Sequence, residues 1–137
     1  MLGRDGKVDL ISKVPLFSGC SKRELRDVAQ IADEIDLAQG KVLCREGDVG
    51  REFFVLLEGA CDVHRKGRKI DTLRSGEFFG EVALISDAPR NATVTSTTPL
   101  RVLVIVDRDF RGLIKASPGI SAKVLAAIVG RLAPEKV

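Results

Sequence analysis

Glu81 and Arg90 stand nine residues apart in FGEVALISDAPRNATV (79–94), Glu81 directly after Gly80 and Arg90 directly after Ala88-Pro89. A guanidinium is a planar fork that matches two phosphate oxygens. Gly80 to about Ser86 lacks strand alternation and reads as one or two turns of helix. The first residues of such a turn offer backbone N–H groups and a positive dipole end to an anion. Gly80 has no side chain, so a ligand can approach the backbone there. Glu81 would repel a bare phosphate, but a carboxylate accepts hydrogen bonds and a ribose 2′-OH donates them. A sugar phosphate therefore satisfies both charges at once. The competing reading is an exposed Glu81–Arg90 ion pair, worth only ~0–1 kcal/mol.

Other chemistry has little to draw on. The sequence holds one histidine, His64, whereas a jelly-roll metal enzyme draws on several histidines and a carboxylate. No Ser-His-Asp or Cys-His set can be assembled without asking His64 to serve alone. Neither catalysis nor a metal site is expected; His64, Asp36 and Asp62 read as outward strand positions. Cys20, Cys44 and Cys61 are odd in number and widely spaced, without CxxC pairing, which points to free thiols.

The elements that must position Glu81 and Arg90 follow from the period of the apolar residues. SKRELRDVAQIA places Leu25, Val28, Ile31 and Ala32 on one helical face, with Ser21 and Glu24 as a capping box. From about Ile35 to Val106 short β-type runs follow: KVLC, EFFVLLE, ACDV, KIDTL, ATVTS and LRVLVIV. Gly40, Gly47, Gly59, Gly67, Gly76 and Pro99 punctuate them as turn formers. Asn91 onward returns to strand. Many short strands of this kind predict an antiparallel sandwich or barrel. After Val106 the helical period returns: Asp107 or Asp109 caps a helix carrying Phe110, Leu113 and Ile114. Ser117-Pro118 then opens a second helix with Ile120, Val124, Leu125, Ile128 and Leu132. The expected layout is mostly β with flanking helices in a single domain over 1–137. It divides into an N-terminal helical segment (1–33), a β-roll (34–106) and C-terminal helices (107–137).

A chain of 137 residues fits one domain, and 45% hydrophobic residues suffice for its core. A net charge of +3 at 30% charged residues does not predict direct binding to nucleic acid. The longest aliphatic run, Val102 to Val106, is far below the roughly 20 residues of a membrane helix, and MLGRDGKVDL has no signal-peptide core. A soluble cytoplasmic protein with no membrane contact is expected.

FGEVALISDAPRNATV resembles the phosphate-binding cassette of the cyclic nucleotide-binding domain family. REGDVGREFFVLLEGACDV (45–63) is similar to that family's strand-turn-strand with its EGD turn, and VPLFSGCSKRELRDVA to its helical lead-in. Matches run from about Val14 to Leu132. The resemblance implies a β-roll (jelly-roll barrel) flanked by helices that binds cAMP or cGMP. In that role Glu81 accepts from the ribose 2′-OH and Arg90 pairs with the cyclic phosphate. The backbone of Gly80, Ala83 and Ala92 lines the pocket, Phe79 packs behind it, and Val82 and Leu84 hold the short helix on the barrel. Asn91 departs from the pattern, which has alanine there in cAMP-selective members and threonine or serine in many that accept cGMP. Its amide can meet the phosphate or a guanine, and cAMP is the expected preference. Pro134 interrupts the long helix that often covers the base. The cover then falls to Leu132 to Val137, to a protein partner or to a fused effector domain, unless the base stays exposed. One branch of the family adds a helix-turn-helix that reads DNA, but here the sequence ends at LAPEKV. The remaining alternatives are a degenerate β-roll that keeps the fold as an interaction module without ligand, and the sensory fragment of a larger transcription regulator, transporter or enzyme.

Overall fold

In the computed structural model, which describes residues 3–84 and 86–129, two four-stranded antiparallel sheets stack beneath a layer of helices. The helices come first in the chain. Helix α1 (Arg4–Ser12) precedes a 3-10 turn at Pro15–Phe17 and helix α2 (Lys22–Gln30). The capping box forms as expected: Ser21 Oγ accepts from the Glu24 N–H, and the Ser21 N–H donates to Glu24 Oε1 at 2.7 Å. Ser21→Ala leaves one N–H of the first turn without its acceptor. The expected loss is about 1 kcal/mol, a fall in Tm of about 4 °C in calorimetry.

The helical face read from the sequence overshoots its end. Ile31 is the C-cap of α2, and Ala32 already opens strand β1 (Ala32–Leu37). The further strands are β2 (Val42–Cys44), β3 (Glu52–Glu58), β4 (Ala60–Arg65), β5 (Arg68–Arg74), β6 (Phe78–Phe79), β7 (Thr93–Ser96) and β8 (Leu100–Val106). One sheet has the order β1-β8-β3-β6 and the other β2-β7-β4-β5. Gly40, Gly47, Gly59, Gly67 and Gly76 all take positive φ, which an L side chain adopts only with strain, and so form the turns expected of them.

The first sheet is the middle layer, buried on both faces. From β3, Phe53 and Val55 point to the helices, where they join Phe17, Val28, Leu103, Ile105, Phe110 and Ile120. Phe54 and Leu56 point the other way, into the space between the sheets, with Cys61, Val63, Phe79, Val94, Val102 and Val104. This accounts for EFFVLLE and LRVLVIV as unbroken apolar runs: strands covered on both sides have no reason to alternate. Phe17 sits edge-on to both Phe53 and Phe110, with ring centroids 6.3 Å apart in each pair.

Helix α3 (Asp107–Ala116) and helix α4 (Pro118–Val129) close the helical layer. Val106 holds the N-cap position of α3, and Asp107 is its first residue. In α4, Ile120 and Val124 are buried, while Leu125 is 58% exposed. Lys123 Nζ donates to Glu24 Oε1 at 2.5 Å, tying α4 to α2. The Ile128 side chain, Leu132, Pro134 and the expected base cover from Leu132 to Val137 lie outside the described residues.

Candidate functional site

The cassette begins where β6 pairs with β3, with Phe79 opposite Phe54 and the two rings stacked at 4.9 Å. Phe79 is buried between the sheets, the packing position expected of it. Gly80 takes φ +87° and turns the chain into a single 3-10 turn, Glu81–Leu84. Leu84 is fully buried in the helix-facing core with Phe110, and Ala83 is buried beside it. Val82 is 49% exposed. It does not hold the turn to the barrel, contrary to the expectation, because a 3-10 turn of four residues sends only part of its side chains inward. Leu84 and Ala83 do that work.

Arg90 is gripped by its backbone before its side chain is considered. Its N–H donates to Asp48 O at 2.7 Å, its carbonyl accepts from the Gly47 N–H at 2.8 Å, and Pro89 bridges to Val49. The turn at 46–50 is thus docked on the cassette. The Arg90 guanidinium then runs inward and is only 9% exposed as a residue. Its Nη2 donates to Glu52 O at 2.6 Å, and the Glu52 carboxylate lies 4.0 Å away. Its Nε is buried with no hydrogen-bond partner among the described residues. An exposed surface ion pair is excluded for Arg90 by this burial.

Two glycines make the cradle. A Cβ on Gly50 would stand 2.5 Å from Arg90 Nε and 2.7 Å from Cζ; one on Gly80 would meet Nη1 and lie 2.8 Å from Glu52 O. The guanidinium passes between two bare backbone segments, and the one from Gly80 leads directly into Glu81. Glu81 is partly exposed at the head of the 3-10 turn. Arg90 thus lies against Gly80, the residue directly before Glu81.

Ala92 is fully buried, and its carbonyl accepts from the Cys44 thiol at 3.6 Å. Burial pushes the Cys44 thiol up, with the Arg90 charge opposing it. Asn91 is exposed, and its carbonyl accepts from Arg65 Nε at 2.9 Å. Burial pushes the Cys61 thiol up to about 11, so it is protonated at neutral pH. Sequence reasoning missed Gly50 and Glu52, which pack against the Arg90 side chain. Gly50 had a usable signal: Gly47 already supplies the positive φ of that turn, so a second glycine three residues on answers a need for close approach. Glu52 had none, since it acts through its carbonyl.

The Arg90 guanidinium is thus buried between two glycines, with Nε unpartnered among the described residues and the Glu52 carboxylate 4.0 Å from Nη2. A family model for the cyclic nucleotide-binding domain matches residues 34–117, and the chain belongs to that family. The chain is 35% identical over 115 residues to a cyclic nucleotide-gated potassium channel of Rhizobium etli, covering 84% of this chain and 32% of the channel. It is 35% identical over 107 residues to a cAMP-dependent protein kinase regulatory subunit of Eremothecium gossypii, covering 77% of this chain and 23% of that one. It thus spans a third or less of the length of these relatives. The solved N-terminal domain of a transcriptional regulator from Streptomyces coelicolor superposes with a TM-score of 0.82 at 29% identity, over 90% of each chain. Among the described residues no helix is long and apolar enough to cross a membrane.

Proposed function

We propose that this chain is a regulatory sensor for a cyclic nucleotide, cAMP by preference, that relays occupancy through α3 and α4. The observation that carries it is Arg90: a guanidinium buried in a two-glycine cradle, with Nε lacking an acceptor. An unpaired buried donor is costly, and a cyclic phosphate entering the cradle supplies acceptors to a group already in place. Glu81, Phe79, Gly80, Val82, Ala83, Asn91 and Ala92 complete the ligand-binding set, with Glu81 accepting from the ribose 2′-OH. The preference for cAMP is supported by the kinase regulatory relatives, whose name contains that nucleotide.

Relay through the helices is supported by the packing of Leu84. This cassette residue and Phe110 of α3 share one core and line the same groove with Ile114 and Val124. Movement of the 3-10 turn toward the ligand must repack that core, and the ligand can shift the balance only by its difference in affinity for the two arrangements. The sensor acts in the cytoplasm on a protein partner or a fused effector domain, in keeping with channel and kinase relatives several times longer than this chain. It has no catalytic role of its own.

The role of Glu81 has a direct chemical test. Removing a hydrogen bond to a charged group costs about 1.5–3 kcal/mol. Glu81→Ala is expected to weaken cAMP by roughly 10- to 150-fold. Against 2′-deoxy-cAMP, which has no hydroxyl to donate, the same substitution is expected to cost far less. Equal losses against both nucleotides would show that Glu81 does not read the 2′-OH.

A further inference from the structure

Outside the two-glycine cradle, three arginines gather round one buried acid. A shallow cavity of about 390 Å³ is lined by Arg51, Val106, Asp107, Arg108 and Arg111. The chain entering β3 and the start of α3 meet there, because the Asp107 N–H donates to Arg51 O at 2.8 Å. The Asp107 side chain is only 5% exposed. Its Oδ1 accepts from the Arg108 N–H at 2.7 Å, whereas Oδ2 is buried with no hydrogen-bond partner among the described residues. Oδ2 has charge beside it, with Arg111 Nη2 at 3.2 Å and Arg51 Nη1 at 3.8 Å, and lacks an aligned donor. The arginines, in turn, have donors to spare, since each guanidinium carries several N–H groups. Arg111 Nη2 gives a hydrogen bond to Asp87 Oδ1 at 3.1 Å, and the Arg51 and Arg108 side chains give none among the described residues.

We propose that this cavity is a second anion site, separate from the nucleotide cradle, and that it takes a phosphate group still carrying a proton: inorganic phosphate or a singly ionised phosphomonoester. Both parts of that description follow from the wall. Even with Asp87 counted, three guanidiniums face two carboxylates, and their planar forks match the oxygens of a tetrahedral anion. A fully ionised oxyanion would set its oxygens against Asp107, whose carboxylate only accepts hydrogen bonds. A P–OH removes that conflict. It donates to Asp107 Oδ2 while the other phosphate oxygens accept from the arginines, and the buried oxygen gains the donor it lacks. The guanidiniums nearest Oδ2 leave a way in, since the Arg51 and Arg111 side chains are 63% and 45% exposed and swing aside by a change of rotamer. Sulfate has the shape and charge of hydrogen phosphate but no proton to donate, so the site discriminates between the two. The proposal does not depend on the nucleotide-sensor reading.

The test is an amide chemical-shift titration of the 137-residue chain with phosphate and, at matched ionic strength, with sulfate. It is run at about pH 6, where a phosphomonoester is roughly half protonated. Phosphate is expected to shift the amides of Arg51, Asp107 and Arg108 to saturation. Sulfate is expected to bind roughly tenfold more weakly or worse, the worth of a hydrogen bond to a charged group. Methyl phosphate, whose only hydroxyl is its own P–OH, separates the two sources: binding as tight as phosphate assigns the site to phosphomonoesters, and much weaker binding assigns it to the free ion. Arg51→Gln and Arg108→Gln change exposed side chains, and each is expected to weaken phosphate roughly two- to fivefold, the scale of one exposed charge pair. Asp107→Asn is expected to bring sulfate level with phosphate, since an amide donates as well as accepts; the wild-type comparison and the arginine variants decide even where that buried substitution does not fold. The Arg90 cradle also attracts anions, so the titration is repeated in Arg90→Ala, where the same shifts are expected over the same phosphate range. Equal response to phosphate and sulfate, absence of saturable shifts at these amides, or their loss in Arg90→Ala overturns the proposal.

Discussion

Arg90→Ala is expected to remove most nucleotide binding while the protein stays folded. Truncating one partner of a buried, hydrogen-bonded charge pair costs about 2–5 kcal/mol, roughly 30- to 5,000-fold in Kd. Arg90 belongs at the upper part of that range, because its guanidinium is almost wholly desolvated and its neighbours on two sides are bare glycine backbone. The fold is expected to survive. The backbone of Arg90 holds the turn at 46–50 through its own N–H and carbonyl, which alanine retains. What alanine loses in the free protein is the donor to Glu52 O, a cost of about 1–3 kcal/mol in stability. Arg90→Lys keeps the charge yet is expected to bind poorly, since an ammonium has no planar fork for two phosphate oxygens. Titration with cAMP beside thermal unfolding of each variant checks both halves; normal affinity in folded Arg90→Ala would remove Arg90 from the site.

Gly80→Ala is expected to do comparable damage to binding by another route. Its φ of +87° is a conformation in which L side chains are strained, at a cost of about 1–3 kcal/mol. The added methyl would also meet Arg90 Nη1 and stand 2.8 Å from Glu52 O, a backbone atom held in the middle sheet. Arg90 is the softer of the two neighbours, so the guanidinium is displaced. The expected outcome is at least a 30-fold loss of affinity, the lower bound set for Arg90→Ala, together with the stability cost. Gly40→Ala is the control: it shares the positive φ but has nothing within 4 Å of the added Cβ. It is expected to lose stability and keep its affinity. If both variants bind normally, close approach at Gly80 does not shape the site.

The contrast between Gly80 and Gly50 also shows what the sequence could reveal. β3 and β8 were legible to the residue, because long apolar runs were bounded by turn glycine and proline. The α2 terminus was not: Ile31 and Ala32 continue the helical period of Leu25 and Val28, and no glycine or proline stops it. Strand β6 has two residues and no period to read. Helix α1 carries little amphipathic pattern. At the candidate site, the approach of Gly80 to Arg90 was legible because both lie within one short cassette. The wall opposite them was not, since Glu52 and Arg90 are separated by 38 positions and meet only through the docking of the turn at 46–50. Val82 was expected, from the resemblance, to hold the short helix on the barrel with Leu84, and the tight 3-10 turn leaves it half exposed. Asp87 reads as an ordinary loop acid until α3 is seen to bring Arg111 to it.

Isothermal titration calorimetry of the 137-residue chain with cAMP and with cGMP, on protein freed of any nucleotide carried through purification, tests the central claim most directly. Saturable binding of cAMP, tighter than cGMP and removed by Arg90→Ala, is the expected result. Failure of both nucleotides to bind a folded chain would contradict it and leave the buried guanidinium as a structural prop for the turn at 46–50.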